Sequence, residues 1–301
     1  MRTVVIAGYA RSPFQFATRG ALAGTRPDDL AAAVIRGLVE RTGVPPGDIE
    51  DLILGCAFPE GEQGLNMARL VGFLAGLPQS VAGTTVNRFC GSSMQAIHMA
   101  AGAIQLGAGE AFLCAGVESM SRVPMMGFNP MPNPDLAERY PEAYVAMGVT
   151  AETLARRYGI GRERQEEFAL ESHRRAAAAR AAGRLAEEIV PVGGGNQRVA
   201  EDGCIRPDSS AAALAELKPA FMADGTVTAG TSSPLTDGAA ATLVVSEDYA
   251  RAHGLAPLAR IRAVAVSGCA PEIMGLGPVG ATRKALDRAG LTLADIDIVE
   301  L

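Results

Sequence analysis

The chain has no tryptophan and only 5% aromatic residues, so it offers little for stacking nucleic-acid bases. A net charge of −6 also argues against nucleic acid as a partner. No apolar run approaches the roughly 20 residues of a membrane-spanning helix, and the run at residues 4–8 is too short for a signal peptide. The 5 cysteines are odd in number, form no Cys-x-x-Cys pair and build no disulfide-like framework, which suits a reducing compartment. We therefore read a cytoplasmic protein. No Cys/His cluster has metal-ligand spacing. No Gly-x-Gly-x-x-Gly follows a strand and no Walker sequence is present, which makes a nucleotide-binding α/β protein a distant reading.

What remains is a chain of 301 residues, 48% hydrophobic and 20% charged, able to bury a substantial core and to form more than one domain. Strand and helix signals alternate through its first part. Residues 4–7 and 51–54 read as strands, and Asp28 or Asp29 is expected to cap a helix that stops at Gly43. Residues 66–74 read as a helix, then come a strand ending at Val86, a helix over 91–106 and a buried strand over 111–117. This alternation implies an α/β fold with a mainly parallel sheet covered by helices. Between about 121 and 234 the texture becomes proline-rich and then helical, over 150–158 and 162–182, which reads as an inserted domain. Residues 239–245 are a buried strand suited to completing the first sheet. Residues 40–49 are echoed by 287–296, each a helix end, a glycine stop, a short loop and a strand, which suggests a duplicated unit. The second copy stops inside an apolar strand, 296–301, so the chain reads as truncated.

Cys90 is the most informative residue. It lies in Thr84-Thr85-Val86-Asn87-Arg88-Phe89-Cys90-Gly91-Ser92-Ser93-Met94, where a β-branched run meets a small-residue helix. Backbone N–H groups and the positive dipole end of a helix stabilise a thiolate at such a position, and the same amides suit an oxyanion. Most cysteines are inert core residues, the reading kept for Cys56, Cys114, Cys204 and Cys269. His98 sits two turns along the same helix, too far to reach the sulfur, while His173 and His253 read as solvated helix residues.

Four ordered motifs resemble the thiolase family, most closely the degradative 3-ketoacyl-CoA thiolases of bacterial fatty-acid β-oxidation. They are Val86-Asn87-Arg88-Phe89-Cys90-Gly91-Ser92-Ser93-Met94-Gln95-Ala96, Gly116-Val117-Glu118-Ser119-Met120-Ser121, Met147-Gly148-Val149-Thr150-Ala151-Glu152, and Gly225-Thr226-Val227-Thr228-Ala229-Gly230-Thr231-Ser232-Ser233 running into Asp237-Gly238-Ala239-Ala240. The Cys-Gly-Ser-Ser-Met form favours the degradative branch over biosynthetic acetoacetyl-CoA formation.

The resemblance implies a layered α-β-α-β-α fold. Residues 1–120 with 236–256 would form the N-terminal domain, 121–235 a CoA-binding loop domain and 257–301 the start of a C-terminal domain. It implies an acyltransferase in which Cys90 attacks a 3-ketoacyl-CoA, releases acetyl-CoA and hands the shortened acyl group to CoA. Coenzyme A is then a substrate and no cofactor is tightly bound. Arg206 is expected near the nucleotide end, Ser233 near the pantetheine amide, and Ala229, Phe221 and Met147 along the channel. Arg174, Arg175, Arg180 and Arg184 add a diffuse attraction for phosphates or are simply a solvated face. The resemblance also implies a homodimer and admits a multifunctional β-oxidation subunit as partner. Thiolases draw their acid, base and oxyanion donors from Asn-Glu-Ala-Phe, Gly-His-Pro and second Cys-x-Gly segments that this sequence lacks, so the 301 residues alone are expected to be inactive. Rival readings are an acetyl-CoA acetyltransferase forming acetoacetyl-CoA and a non-catalytic CoA-binding or interaction protein.

Overall fold

The computed structural model describes residues 2–195 and 198–301. Strand β1 (Val4–Arg11) and the short β2 (Gln15–Phe16) lead into helix α1 (Pro27–Thr42), followed by β3 (Ile49–Gly55), α2 (Met67–Leu74), β4 (Ala82–Val86), α3 (Ser92–Leu106) and β5 (Ala111–Ser119). Helices α4 (Pro134–Arg139), α5 (Met147–Tyr158), α6 (Arg162–Ala181) and α7 (Ala211–Ala215) come next. The chain then forms β6 (Thr236–Ser246), α8 (Glu247–Ala252), β7 (Ala259–Arg260) and α9 (Gly277–Ala289). Two compact units result: Met1–Pro130, Ala178–Ile205 and Pro234–Ile261 make the first, and Met131–Ala177, Arg206–Ser233 and Arg262–Leu301 the second.

The first unit is built on one sheet in the order β4-β3-β5-β6-β1-β7, with β2 also pairing with β6. Strands β4, β3 and β5 run parallel. β6 enters antiparallel between β5 and β1, so the strand that returns after the helical segment completes the centre of the sheet. Helices cover both faces, as period-2 alternation requires. Leu52, Leu54, Leu113 and Leu243 pack with Leu30, Ile35 and Leu38 of α1 and Val71 of α2. Ile53, Phe112, Cys114 and Val244 point the other way and pack with Ala96, Ala100, Ala101 and Ile104 of α3.

Helix α1 starts two or three residues earlier than an aspartate cap would place it. Arg26 is the N-cap without a side-chain cap and Pro27 takes the first helical position, where its missing N–H costs nothing; Asp28 and Asp29 lie in the first turn, where the Asp28 carboxylate accepts the Asp29 N–H at 3.1 Å. The internal echo is present in the backbone. Gly43 after α1 and Gly290 after α9 both adopt left-handed conformations with φ of 66°, and a 3₁₀ turn follows each, at Pro46–Asp48 and Leu293–Asp295. Residues 296–301, expected as a strand, form no ladder: a strand needs a hydrogen-bonding neighbour, and none among the described residues pairs with them.

In the second unit a buried carboxylate organises the fold. Glu152 of α5 is 1% exposed and accepts the backbone N–H groups of Thr226 and Val227, each at 2.8 Å. Arg162, at the start of α6, donates to Glu166 and to the carbonyls of Leu214 and Leu217. No described helix is long and apolar enough to cross a membrane.

Candidate active site

The three parallel strands end in register, with Val86, Gly55 and Gly116 side by side. Open α/β sheets commonly bind ligands beyond such carboxyl ends. Cys90 stands there, exposed, just before Gly91, the N-cap of α3. Two glycines bring the helix this close. A Cβ on Gly55 would lie 2.5 Å from the Ser92 carbonyl carbon and from the Ser93 nitrogen, and one on Gly116 would lie 2.7 Å from the Ser93 Cβ.

The turn that carries Cys90 is tightly specified. Phe89 adopts a left-handed conformation with φ of 45°, rare for a bulky residue. The Asn87 Oδ1 accepts the Phe89 N–H at 2.8 Å, and the Asn87 amide donates to the Ala57 carbonyl at 2.9 Å. From the other side the Ser92 hydroxyl accepts the Arg88 N–H at 2.7 Å and donates to the Phe89 carbonyl at 2.5 Å.

The other cysteines differ. Cys56 is buried, and desolvation together with the neighbouring Glu118 pushes its thiol up to about 12. Burial likewise drives Cys114 upward, with Asp51 adding to it. Both therefore remain protonated thiols near neutral pH. Cys204 is half-buried, and Cys269 is exposed with its sulfur 3.7 Å from the Ile273 carbonyl. Among the described residues no group of His, Cys, Asp and Glu is placed to hold a metal.

The residues expected to meet CoA all belong to the second unit. Met147 and Phe221 are each 46% exposed, so neither is a core residue. The Phe221 ring lies over Gly148, where a Cβ would come within 2.1 Å of it, which brings Phe221 beside the N-terminus of α5 that Met147 opens. Ala229 and Ser233 are exposed on the loop that leads to β6, and Arg206 is exposed elsewhere on the unit. His173 is not a solvated bystander: it is half-buried, its Nδ1 accepts the Arg206 N–H at 3.2 Å, and burial and the Arg206 charge hold its pKa below the usual value. His253 also has a fixed setting, stacked on Tyr249 with ring centroids 3.9 Å apart and 3.4 Å from the Asp48 carboxylate. Of the arginine-rich face, Arg174 and Arg175 both pair with Glu171 and are neutralised locally. Arg184 lies beyond the end of α6.

Three carboxylates in the motifs escaped the reading of the sequence. Glu118 accepts from the Ala57 and Phe58 N–H groups and from Gln63, tying β5 to the loop after β3. Asp237 is fully buried and accepts from the Ser119 hydroxyl at 3.0 Å and the Ser121 N–H at 2.9 Å. Glu152 joins the third motif to the fourth. The available signal was that each is an acid inside an otherwise small-residue motif.

The thiolase N-terminal domain family model matches residues 4–248, and the thiolase C-terminal domain model matches residues 255–301. The chain belongs to the thiolase family. It is 49% identical to the 3-ketoacyl-CoA thiolase of Bacillus subtilis (strain 168) over 314 residues, covering 100% of this chain and 80% of that protein. It is 50% identical over 305 residues to the 3-ketoacyl-CoA thiolase of Marinomonas sp. (strain MWYL1), covering 99% of this chain and 78% of that protein. A further 3-ketoacyl-CoA thiolase, from Vibrio cholerae serotype O1 (strain ATCC 39315 / El Tor Inaba N16961), is 49% identical over 311 residues, 100% of this chain and 79% of that protein. The thiolase assignment makes this chain an enzyme with an α/β thiolase fold.

Proposed function

We propose that this enzyme is an acyltransferase of fatty-acid β-oxidation that cleaves 3-ketoacyl-CoA with CoA through a thioester on Cys90. The observation that carries the reading is an exposed thiol at the in-register ends of β4, β3 and β5, in a chain about half identical to 3-ketoacyl-CoA thiolases. The Cys90 sulfur attacks the C3 carbonyl of the substrate. The C2–C3 bond breaks, its electron pair leaves with the acetyl-CoA fragment, and that carbanion equivalent takes a proton. The acyl group stays on sulfur until the CoA thiol attacks it, releasing the shortened acyl-CoA and restoring Cys90.

CoA is a substrate in this reading, with no tightly bound cofactor. Arg206, Ser233, Ala229, Phe221 and Met147 are its proposed contacts, supported by their exposure and by the pairing of Phe221 with the start of α5. Residues 1–120 with 236–256 form the N-terminal domain, 121–235 the CoA-binding loop domain, and 257–301 belong to the C-terminal domain. The enzyme works as a cytoplasmic homodimer; the cysteine usage supports the compartment, and the family resemblance supports the dimer and admits a multifunctional β-oxidation subunit as partner. The test is the ratio of thiolytic rates on long-chain and four-carbon 3-ketoacyl-CoA, measured on the enzyme expressed from its native gene. A higher rate on the long chain is expected, and exclusive use of the four-carbon substrate identifies an acetoacetyl-CoA-forming enzyme instead.

A further inference from the structure

Phe89 is the one bulky residue between Val86 and Ser92 held at positive φ, and it directly precedes Cys90. A left-handed conformation at such a residue is strained and persists only where its surroundings impose it. Two side chains do so here. Asn87 forms an Asx turn onto the Phe89 N–H and anchors that turn to the loop after β3 through the Ala57 carbonyl. Ser92, 3% exposed, bridges the Arg88 N–H and the Phe89 carbonyl, so the peptide groups on both sides of Phe89 are bonded to fixed side chains. Gly55 lies against the Ser92 backbone, which fixes the serine relative to the sheet.

We propose that Asn87 and Ser92 are positioning residues that lock Phe89 in its left-handed conformation and thereby fix the backbone from which Cys90 reacts. The inference rests on the reading of Cys90 as acyl acceptor. Neither side chain has to touch the substrate. Their contribution is to hold the sulfur in one place before the carbonyl arrives, the kind of placement whose loss costs up to about a hundredfold in rate. Asn87 is exposed, so removing its side chain leaves the core intact.

The test is a set of variants made in the native gene, purified and assayed for steady-state thiolysis and for acylation of Cys90 by peptide mass. Asn87→Ala and Ser92→Ala should each lower kcat about tenfold to a hundredfold while KM stays within about twofold. Asn87→Ser, whose hydroxyl can make the equivalent turn to the residue two positions on, should restore most of the rate. Glycine adopts positive φ without penalty, so the loss caused by Asn87→Ala should be smaller in a Phe89→Gly background than in the parent. Equal losses in the two backgrounds, or an Asn87→Ala enzyme with parental kcat whose only change is a lower melting temperature, would overturn the proposal. Acylation of the parent enzyme at a residue other than Cys90 overturns the underlying reading, and is recognised separately by the mass of the labelled peptide.

Discussion

Gly55 lies against the start of α3 so closely that a Cβ built on it would stand 2.5 Å from the Ser92 carbonyl carbon. The obstacle is backbone, which cannot swing aside as a flexible side chain would. Glycine at this strand end is therefore a condition for placing Cys90 at the edge of the sheet. Gly55→Ala is expected to displace the α3 N-terminus, cost about 1–3 kcal/mol of stability and lower thiolysis by up to about a hundredfold. Thermal unfolding and kinetics on the same preparation check both effects, and parental kinetics would show that the close approach has no catalytic role.

The cysteines should be distinguishable by reactivity. The Cys56 thiol, pushed up to about 12 by burial and Glu118, should resist iodoacetamide in the native enzyme at neutral pH, as should the buried Cys114. Cys90 and Cys269, both exposed, should be alkylated, and activity should fall in proportion to modification of Cys90 alone. Peptide mapping against residual activity measures this.

The Arg11–Asp202 pair should make stability depend on pH in the acid range. Burial opposes ionisation of Asp202, but the hydrogen bonds from Arg11 and the Phe14 N–H and the Arg11 charge outweigh it, holding the carboxyl below its ordinary value of 3.8. A depressed carboxyl contributes stability above the unfolded-state pKa and loses it as pH falls through the folded one. Asp202→Asn should cost about 2 kcal/mol near pH 7, and the deficit should shrink below about pH 4. Urea melts across that range test it, and a deficit constant with pH contradicts it.

CoA affinity provides a test of the second unit. Arg206→Ala and Ser233→Ala should each weaken CoA binding by about 1 kcal/mol, a typical net loss for one hydrogen bond. The Arg206 backbone N–H that meets His173 survives the first substitution. Calorimetric titration with CoA is the measurement, and unchanged affinity in both variants removes these residues from the site.

Much of this molecule was legible in its sequence because the signals were local. A β-branched run followed by small residues located β4, Cys90 and α3, and the glycine stops at Gly43 and Gly290 fixed two helix ends through their left-handed conformation. The apolar run within 239–245 was readable as the strand that completes the sheet, although its antiparallel entry beside both β5 and β1 is a matter of pairing. What escaped was long-range and polar. Asp237 meets Ser119 across 118 residues, and Glu152 meets Thr226 across 74, so neither acid differs from a surface charge until the chain has folded. His253 is exposed, in keeping with its reading as a solvated residue, but its contact with Asp48 was hidden because the two lie far apart in the sequence. The strain at Phe89 was hidden too, because nothing in its residue type announces positive φ.

The central claim is that Cys90 carries the acyl group. Mixing the enzyme with a 3-ketoacyl-CoA, quenching in acid before CoA is added, and mapping peptides by mass measures it directly. The account predicts one acylated cysteine, Cys90, and no burst of acetyl-CoA from a Cys90→Ser variant that melts like the parent; an acyl group found on Cys56, Cys114 or Cys269, or a full burst from that variant, would contradict it.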